Sequence, residues 1–411
     1  MRSDCHYCRE STDFATHHKV SFSDRIAHFT WANFTCTQST GGIAILLSES
    51  PRQFHGLQTA GVAMFILNMA LFVLLSSAMT ARLILHPRMF RRSLANAPET
   101  FYISTFWVSI ETCIICMQRF GVARTGPWLI IALRVLFWIY AGVTLMFSTV
   151  TWIVLTAKSP IKSKQLHPAI FLMIINTMLT GTIASAIISS QPPVYRMPMI
   201  VAAVTYQGLG WIVTMLLLAT HLSTMLEKGL GPPSQRFGLF MPVASPGFAM
   251  VSLIGCSRFI PEGYGYFARH PAAVEILRVV ALWVSIFLWL VAFWIFALAL
   301  VAVVPVLLPF RNGRFEPQIQ FNLSWWGLIF PNVGLALATG YIGTELGSSA
   351  VEWVAVVMTA VLFAVWLMNI VLYVKAIATG QIMWPGRDED FMKSRDFKAR
   401  SQRPKCTSNW I

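Results

Sequence analysis

Long apolar runs separated by short charged gaps dominate the sequence. Each of ten runs is long enough to cross, as a helix, a hydrocarbon core about 30 Å thick. The pattern therefore predicts an all-α polytopic membrane protein with ten transmembrane helices arranged as five helical hairpins. The approximate bounds of the runs are 29–48, 57–85, 101–120, 127–157, 167–190, 197–226, 237–257, 272–308, 322–344 and 349–377.

These runs divide the chain into three parts. Residues 1–27 form a polar N-terminal tail, 28–378 the transmembrane domain, and 379–411 a polar C-terminal tail. The first part carries acids, bases and histidines before any apolar run, so we expect the first span itself to target the chain to the membrane.

Basic residues concentrate in alternate gaps, which predicts an orientation. Lys and Arg are frequent after the second, fourth, sixth and eighth runs and in the C-terminal tail, whereas the opposite gaps hold few. The positive-inside rule then places both termini in the cytosol, consistent with an even number of spans. We expect an integral multi-pass protein of the plasma membrane.

Composition supports the same class. Of the 411 residues, 56% are hydrophobic and only 12% are charged, and the mean hydropathy is +0.62, which excludes an ordinary soluble domain. The net charge of +14 is distributed between spans, so it indicates membrane topology and a lipid bilayer, with no nucleic-acid partner.

The texture of the runs alternates. Even-numbered runs are long and almost uniformly apolar, whereas odd-numbered runs carry small, hydroxyl or helix-breaking residues. Apolar helices can face lipid, and polar or broken ones belong inside. We therefore expect five inner helices around a central pore, ringed by five outer helices.

Several positions in the odd-numbered runs are candidates for lining the pore or breaking a helix. Free backbone N–H groups at such breaks attract an anion without a fixed charge that would trap it. Small residues at the same positions would serve equally well for close packing between helices, and both interpretations stay open. The candidates are Gln38, Thr40, Gly41, Gly42, Thr177, Gly181, Pro246, Gly247, Pro331 and Asn332.

The ninth run contains the most specific candidate. A proline inside a helix removes one hydrogen bond and clashes with the preceding turn, so Phe330-Pro331 predicts a kink. An aromatic side chain beside a kink can block a narrow lumen, because a hydrophobic constriction dewets. Phe330 is thus a candidate pore gate, or else an ordinary packing residue among 29 phenylalanines.

Ionisable residues inside the spans form a third group. Glu111 lies in the middle of the third run, where a charge is costly and a functional role is expected. It would carry a proton, or it would form an ion pair with Arg134 as a structural tie. We favour the ion pair, because burial of an unpaired carboxylate is costly. His221 lies near the end of the sixth run, where we expect it to reach toward the interface.

Other classes of protein find little support. Cys5, Cys8, His17 and His18 are metal-ligating residue types at loose spacing, and we predict a disordered tail there and no metal site. The remaining histidines are scattered, unlike the clustered boxes of membrane desaturases, and no nucleotide-binding fingerprint occurs. We predict no enzyme activity and no cofactor.

Several motifs resemble one family of membrane proteins. The chain looks like the fungal malic acid transport branch of the tellurite-resistance/C4-dicarboxylate transporter family, which also contains sulfite exporters and plant slow anion channels. The resemblance covers residues 22–391. The matching stretches are His28-Phe29-Thr30-Trp31, Thr40-Gly41-Gly42, Ser190-Gln191-Pro192, Gln207-Gly208-Leu209-Gly210, part of 238–248, 326–334 and Pro385-Gly386-Arg387-Asp388-Glu389-Asp390.

The resemblance implies a function as well as a fold. It implies ten helices with five around a central pore, a phenylalanine plug that maps to Phe330, and homotrimers in relatives of known architecture. The expected substrates are small organic anions, malate or other C4-dicarboxylates first, with proton coupling; efflux of sulfite or another inorganic anion is the alternative. Departures from the family pattern occur at Asn33, Gln38 and Ala244-Ser245-Pro246.

Overall fold

The computed structural model describes residues 21–88, 97–158, 167–308, 310–311, 314–315 and 320–384. A two-residue antiparallel pair, β1 (Phe310–Arg311) and β2 (Arg314–Phe315), is the strand structure in these ranges. The α-helices bounded there are α1 (Phe22–Ala27), α2 (Phe34–Glu49), α3 (Leu57–Leu85), α4 (Ala97–Cys116), α5 (Trp128–Lys158), α6 (Leu172–Met178), α7 (Thr180–Ile187), α8 (Pro193–Lys228), α9 (Ala244–Arg258), α10 (Tyr266–Arg269), α11 (Ala272–Leu307), α12 (Phe330–Glu345) and α13 (Ser349–Ala378).

Short stretches of tighter or looser helix extend several of these elements. A π turn, Met117–Gly121, follows α4 directly. The 3-10 segments are Trp31–Asn33, Val122–Arg124, Pro168–Phe171, Ile188–Ser190, Pro233–Val243 and Leu323–Leu328.

Most of the predicted spans are present. Within the described residues, nine helical segments are long and apolar enough to cross a membrane. The first predicted run instead forms the 16-residue helix α2, preceded by the Trp31–Asn33 turn. At about 1.5 Å per residue, α2 alone is shorter than a typical span. The all-α polytopic class is confirmed, whereas the count of ten stays a prediction.

Burial separates two groups of helices. In each of five helices, only 22% to 33% of the residues in the most apolar 18-residue stretch are buried. We call these the outer helices: α3, α5, α8, α11 and α13. The corresponding share is 72% to 100% in α4, the α6–α7 pair, α9 and α12 with its preceding turn, and every residue of α2 from Phe34 to Leu47 is buried. These five segments, the inner helices, confirm the predicted alternation.

The inner helices form a closed ring. α2 packs against α4, α4 against the α6–α7 pair, α7 against α9, α9 against α12, and α12 returns to α2. The contact between α12 and α2, the last and the first inner helices, closes the ring.

The outer helix α13 fastens the point where the ring closes. The Trp366 indole donates a hydrogen bond to the Thr40 hydroxyl at 3.0 Å, and the Tyr373 hydroxyl donates to the Asn33 side chain at 2.8 Å. At the end of the same helix, the Arg25 guanidinium donates to the Ile377 carbonyl at 2.6 Å. The beginning and the end of the described chain therefore lie on the same side of the helix bundle.

The closest approach within the ring joins α9 and α12. A Cβ atom placed on Gly247 would lie 2.8 Å from the Leu335 amide nitrogen, and one on Gly334 would lie 3.0 Å from the Phe248 nitrogen. Both obstacles are backbone atoms, which cannot turn aside as a flexible side chain can. Glycine at these two positions therefore sets the spacing of the two helices.

We expect Gly247→Val to destabilise the protein by about 1–3 kcal/mol or more, because α9 and α12 would have to separate. The measurement is the thermal unfolding of the purified protein in detergent. Gly142→Ala on α5 is the matched control, since nothing lies within 4 Å of the added methyl group. An unchanged melting temperature for Gly247→Val would contradict the proposed role of this contact.

Candidate functional site

The predicted interruption of the ninth run is present, with a different geometry from a mid-helix kink. Asn322 caps the 3-10 segment Leu323–Leu328, and its side chain accepts a hydrogen bond from the Ser324 amide at 3.1 Å. Ile329, with φ −104° and ψ −72°, separates it from α12. Pro331 then occupies the first turn of α12, where its missing N–H costs no helical hydrogen bond.

Other inner helices share this change from tight to regular winding. A 3-10 segment precedes α2, α6 and α9 as it precedes α12. The fifth run breaks at Leu179, between α6 and α7 and two residues before Gly181. Pro246 lies in the first turn of α9. The interruption expected at Gly41-Gly42 is wrong, because α2 runs through both residues without a break.

Two cavities lie inside the ring of inner helices. We call the first the Glu111 cavity, and all five inner helices contribute to its lining. Its lining residues are Gly42, Ile45, Glu49, Glu111, Ile115, Arg119, Thr182, Ser185, Ala186, Phe248, Val251, Phe330, Val333, Leu337 and Tyr341.

The second, which we call the Gln38 cavity, lies toward the opposite ends of the same helices. All five inner segments or the turns that precede them contribute here too. Its lining residues are Thr35, Gln38, Tyr102, Leu172, Ile175, Met241, Ala244, Leu323, Ser324, Gly327, Phe330 and Pro331.

Phe330 lines both cavities, and no other described residue does. Its side chain is 3% exposed, and its ring packs against that of Phe248 with centroids 5.0 Å apart. A methyl group on Gly42 would lie 3.0 Å from the Val333 side chain and 3.5 Å from the Phe330 ring, so α2 passes close to both residues. Phe330 therefore lies at the boundary between two spaces on the axis of the ring.

The predicted lining residues divide into two groups. Gln38, Gly42 and Pro331 line the cavities, and the Gln38 carbonyl oxygen is buried without a hydrogen-bond partner among the described residues. The Asn332 amide instead donates to the Leu328 carbonyl at 2.8 Å, bridging the break before α12. Pro246 is buried in α9 and lines neither cavity.

The second group packs helices together. Gly41 contacts Thr112, and Gly181 contacts Gln207 and Ser252, too closely for a Cβ atom. Thr40 and Thr177 bond to outer helices through Trp366 and Ser148, respectively, and Gly247 contacts the α12 backbone. Their small or hydroxyl side chains look alike in sequence, but their positions around each helix point them away from the cavities.

The predicted ion pair between Glu111 and Arg134 is wrong. The Arg134 guanidinium lies over the Tyr195 ring, 3.6 Å from its centroid, on the outer side of α5. The Glu111 side chain is 1% exposed and faces the Glu111 cavity, and neither of its carboxylate oxygens has a hydrogen-bond partner in the described structure. His221 also differs from expectation, since it is buried against the Phe171 ring.

A charged cluster at the far end of the Glu111 cavity escaped the sequence prediction. Arg119 forms an ion pair with Glu49, and the Tyr341 hydroxyl donates to the second oxygen of Glu49 at 3.2 Å. The Arg258 guanidinium lies over the Tyr341 ring, 4.5 Å from its centroid. The available signal was the position of these charges at the ends of odd-numbered runs.

Metal binding receives no support from the described part of the chain. No group of three or more His, Cys, Asp or Glu side chains there could hold an ion. Cys5, Cys8, His17 and His18 lie outside the described residues.

Comparison with known proteins identifies the family. Residues 28–374 match the family described as voltage-dependent anion channel, SLAC1. The malic acid transport protein of Schizosaccharomyces pombe is 32% identical over 372 residues, which cover 90% of this chain and 83% of the relative. A putative malic acid transport protein of the same organism is 30% identical over 90% of this chain and 85% of the relative.

A second group of relatives is more distant. The sulfite efflux pump SSU1 of Arthroderma otae is 24% identical over 367 residues, covering 87% of this chain and 93% of the relative. The resemblance drawn from the sequence motifs is thus confirmed, and the relatives are transporters and not enzymes. The chain belongs to the voltage-dependent anion channel family, as a membrane protein that transports anions.

Proposed function

We propose that the protein moves small organic anions, malate or related C4-dicarboxylates first, through the ring of inner helices. The observation that supports this most is the position of Phe330 between two cavities that all five inner segments line. An apolar ring at such a point excludes water and raises the barrier to an ion. In this proposal Phe330 is the gate, and passage requires its ring to move.

The lining of the path suits an anion that must pass without being trapped. Neutral hydroxyl and amide groups predominate among its polar side chains, with Gln38 in one cavity and Thr182 in the other. The positive charge of Arg119 is compensated by Glu49. Weak neutral donors at several positions favour conduction over tight binding.

Malate is preferred to sulfite as the substrate because of the relatives. Those named for malic acid transport are 32% and 30% identical, whereas the sulfite efflux pump is 24% identical.

We expect Phe330→Ala to increase anion conductance about tenfold, which corresponds to a barrier lowered by about 1.4 kcal/mol. The physical reason is that alanine leaves the two cavities joined by open space. The measurement is anion current in oocytes or flux in liposomes, normalised to the amount of protein in the membrane.

The control is Phe240→Ala. Phe240 is as deeply buried as Phe330 but packs against Phe296 and lines neither cavity, so its loss should affect stability and leave conductance unchanged. Equal conductance of Phe330→Ala and the wild-type protein, at equal membrane amounts, would make Phe330 a packing residue.

Substrate choice is tested with the purified protein in liposomes. We expect uptake of labelled malate above that of protein-free liposomes and above the uptake of sulfite. Empty liposomes and liposomes with an unrelated membrane protein are the controls for leakage. Uptake of sulfite alone would replace the dicarboxylate proposal with the inorganic-anion alternative, in the same fold.

We also propose that both termini face the cytosol. The contact of Arg25 with Ile377 supports a shared face for the two ends, and the basic gaps select the cytosolic side. We expect epitope tags at either end to bind antibody only after the cells are permeabilised. A tag that is accessible on intact cells contradicts the orientation. The homotrimer and the plasma membrane stay predictions of the sequence.

A further inference from the structure

The Glu111 carboxylate is a buried acid with an unusual environment. Its side chain is 1% exposed, and neither oxygen has a hydrogen-bond partner among the described residues. It also lines the Glu111 cavity, on the same space as Phe330. An isolated carboxylate in a membrane interior is strongly unfavourable in its charged form.

Glu99, on the same helix, shows how this protein treats a buried acid with a structural role. It lies about 18 Å from Glu111 along α4, at 1.5 Å per residue. Its side chain is 8% exposed and forms an ion pair with Arg82 on α3, with 2.7 Å between Nη1 and Oε1. Among the described residues Glu111 has no such ion pair, so the two buried acids of α4 differ in charge balance.

The cation that lines the same cavity does not compensate Glu111. Arg119 lines the same cavity but forms its ion pair with Glu49, which the Tyr341 hydroxyl also contacts. The other polar side chains from α7, Thr182 and Ser185, are neutral. The titratable and charged groups around Glu111 are Cys113, Cys116 and Arg119 on its own chain segment, Tyr140 on α5, Glu49 on α2 and Tyr341 on α12.

We propose that Glu111 is a proton-binding site of the transport path, which holds a proton while a carboxylate anion passes the Glu111 cavity with the Phe330 ring moved aside. The proton binds reversibly to one carboxylate oxygen, and no other bond changes. The Thr182 hydroxyl has no hydrogen-bond partner in the described part of the chain. Together with the resulting O–H group it offers two neutral donors to the anion, while Arg119 lies at the far end of the cavity. This proposal rests on the anion transport proposed above.

The arrangement makes transport depend on the proton gradient. When Glu111 is neutral, the cavity presents donors to an anion. When it is charged, the same carboxylate repels the anion at short range in a medium of low dielectric constant. The anion is therefore held best with the proton, and the two cross the protein together.

The first experiment measures the proton at Glu111 without any transport assay. Dicyclohexylcarbodiimide reacts with protonated, apolar-surrounded carboxyl groups and leaves a stable adduct that peptide mass spectrometry locates. We expect labelling of Glu111 that decreases as the pH rises, and no labelling of the ion-paired Glu99. Glu111→Gln should lose the adduct. Absence of the adduct at Glu111 in the folded wild-type protein, or equal labelling of Glu99, would overturn the proposal.

The second experiment measures coupling. Malate uptake into liposomes is compared with and without an inward proton gradient, with the membrane potential held at zero. We expect a ratio well above unity for the wild-type protein and for Glu111→Asp, which keeps the acid, and unity for Glu111→Gln, which keeps the volume. A ratio that stays above unity in Glu111→Gln would show that Glu111 does not carry the proton.

The two experiments separate this proposal from the proposed function. If the wild-type protein moves no malate, the substrate assignment fails, and the carbodiimide labelling alone then decides whether Glu111 holds a proton. If malate moves but the ratio is unity for the wild-type protein, the anion path stands and the coupling at Glu111 is wrong.

Discussion

The contact between the backbones of α9 and α12 is the constraint on which the centre of this molecule depends. Lipid offers no solvent for exposed peptide groups and adds little to the attraction between apolar helices, so close backbone packing has to hold the inner helices together. Gly247 and Gly334 allow that approach. As a result Phe248 and Phe330, which follow and precede these glycines, bring their rings to 5.0 Å. The packing that stabilises the ring thus also fixes the aromatic pair on its axis.

Charge is distributed within the bundle according to the same lack of solvent. Most described acids near the inner helices have a cationic partner, as Glu99 has Arg82 and Glu49 has Arg119. These pairs lie toward opposite ends of the helices, where the helical ends and the interface reduce their cost. Glu111 lies between them, with no partner in the ranges that the structure describes. The contrast, and not burial alone, sets this residue apart.

The fold could be predicted from the sequence because the patterns that indicate it are local. Hydropathy over about 20 residues identified the spans, and the polar texture of alternate runs separated inner from outer helices. Phe330 and Pro331 stood out because a proline in an apolar run indicates a kink, a break or the first turn of a helix. The inner runs departed from single regular spans, since 3-10 segments precede α2, α6, α9 and α12 and hydropathy cannot distinguish such segments from an α-helix.

The details of the site could not be predicted because they depend on the rotation of each helix about its axis. Gly41 and Gly42 are adjacent in sequence, yet one contacts Thr112 and the other faces Phe330. Arg134 could be placed at a depth in the membrane but not on a side of α5, so its contact with Tyr195 was unforeseen. The Glu49–Arg119 pair joins residues far apart in the chain, and no local pattern records such a contact.

The closure of the ring by α13 has a mechanical consequence. Trp366 and Tyr373 hold the first inner segment where the last one meets it. The ring of inner helices is therefore closed on all sides. A closed ring resists the separation of any two neighbouring helices, since the contacts between the other helices would have to change as well. Movement in its centre is then easiest for a single side chain that turns about its own bonds, while the wall around it keeps its diameter.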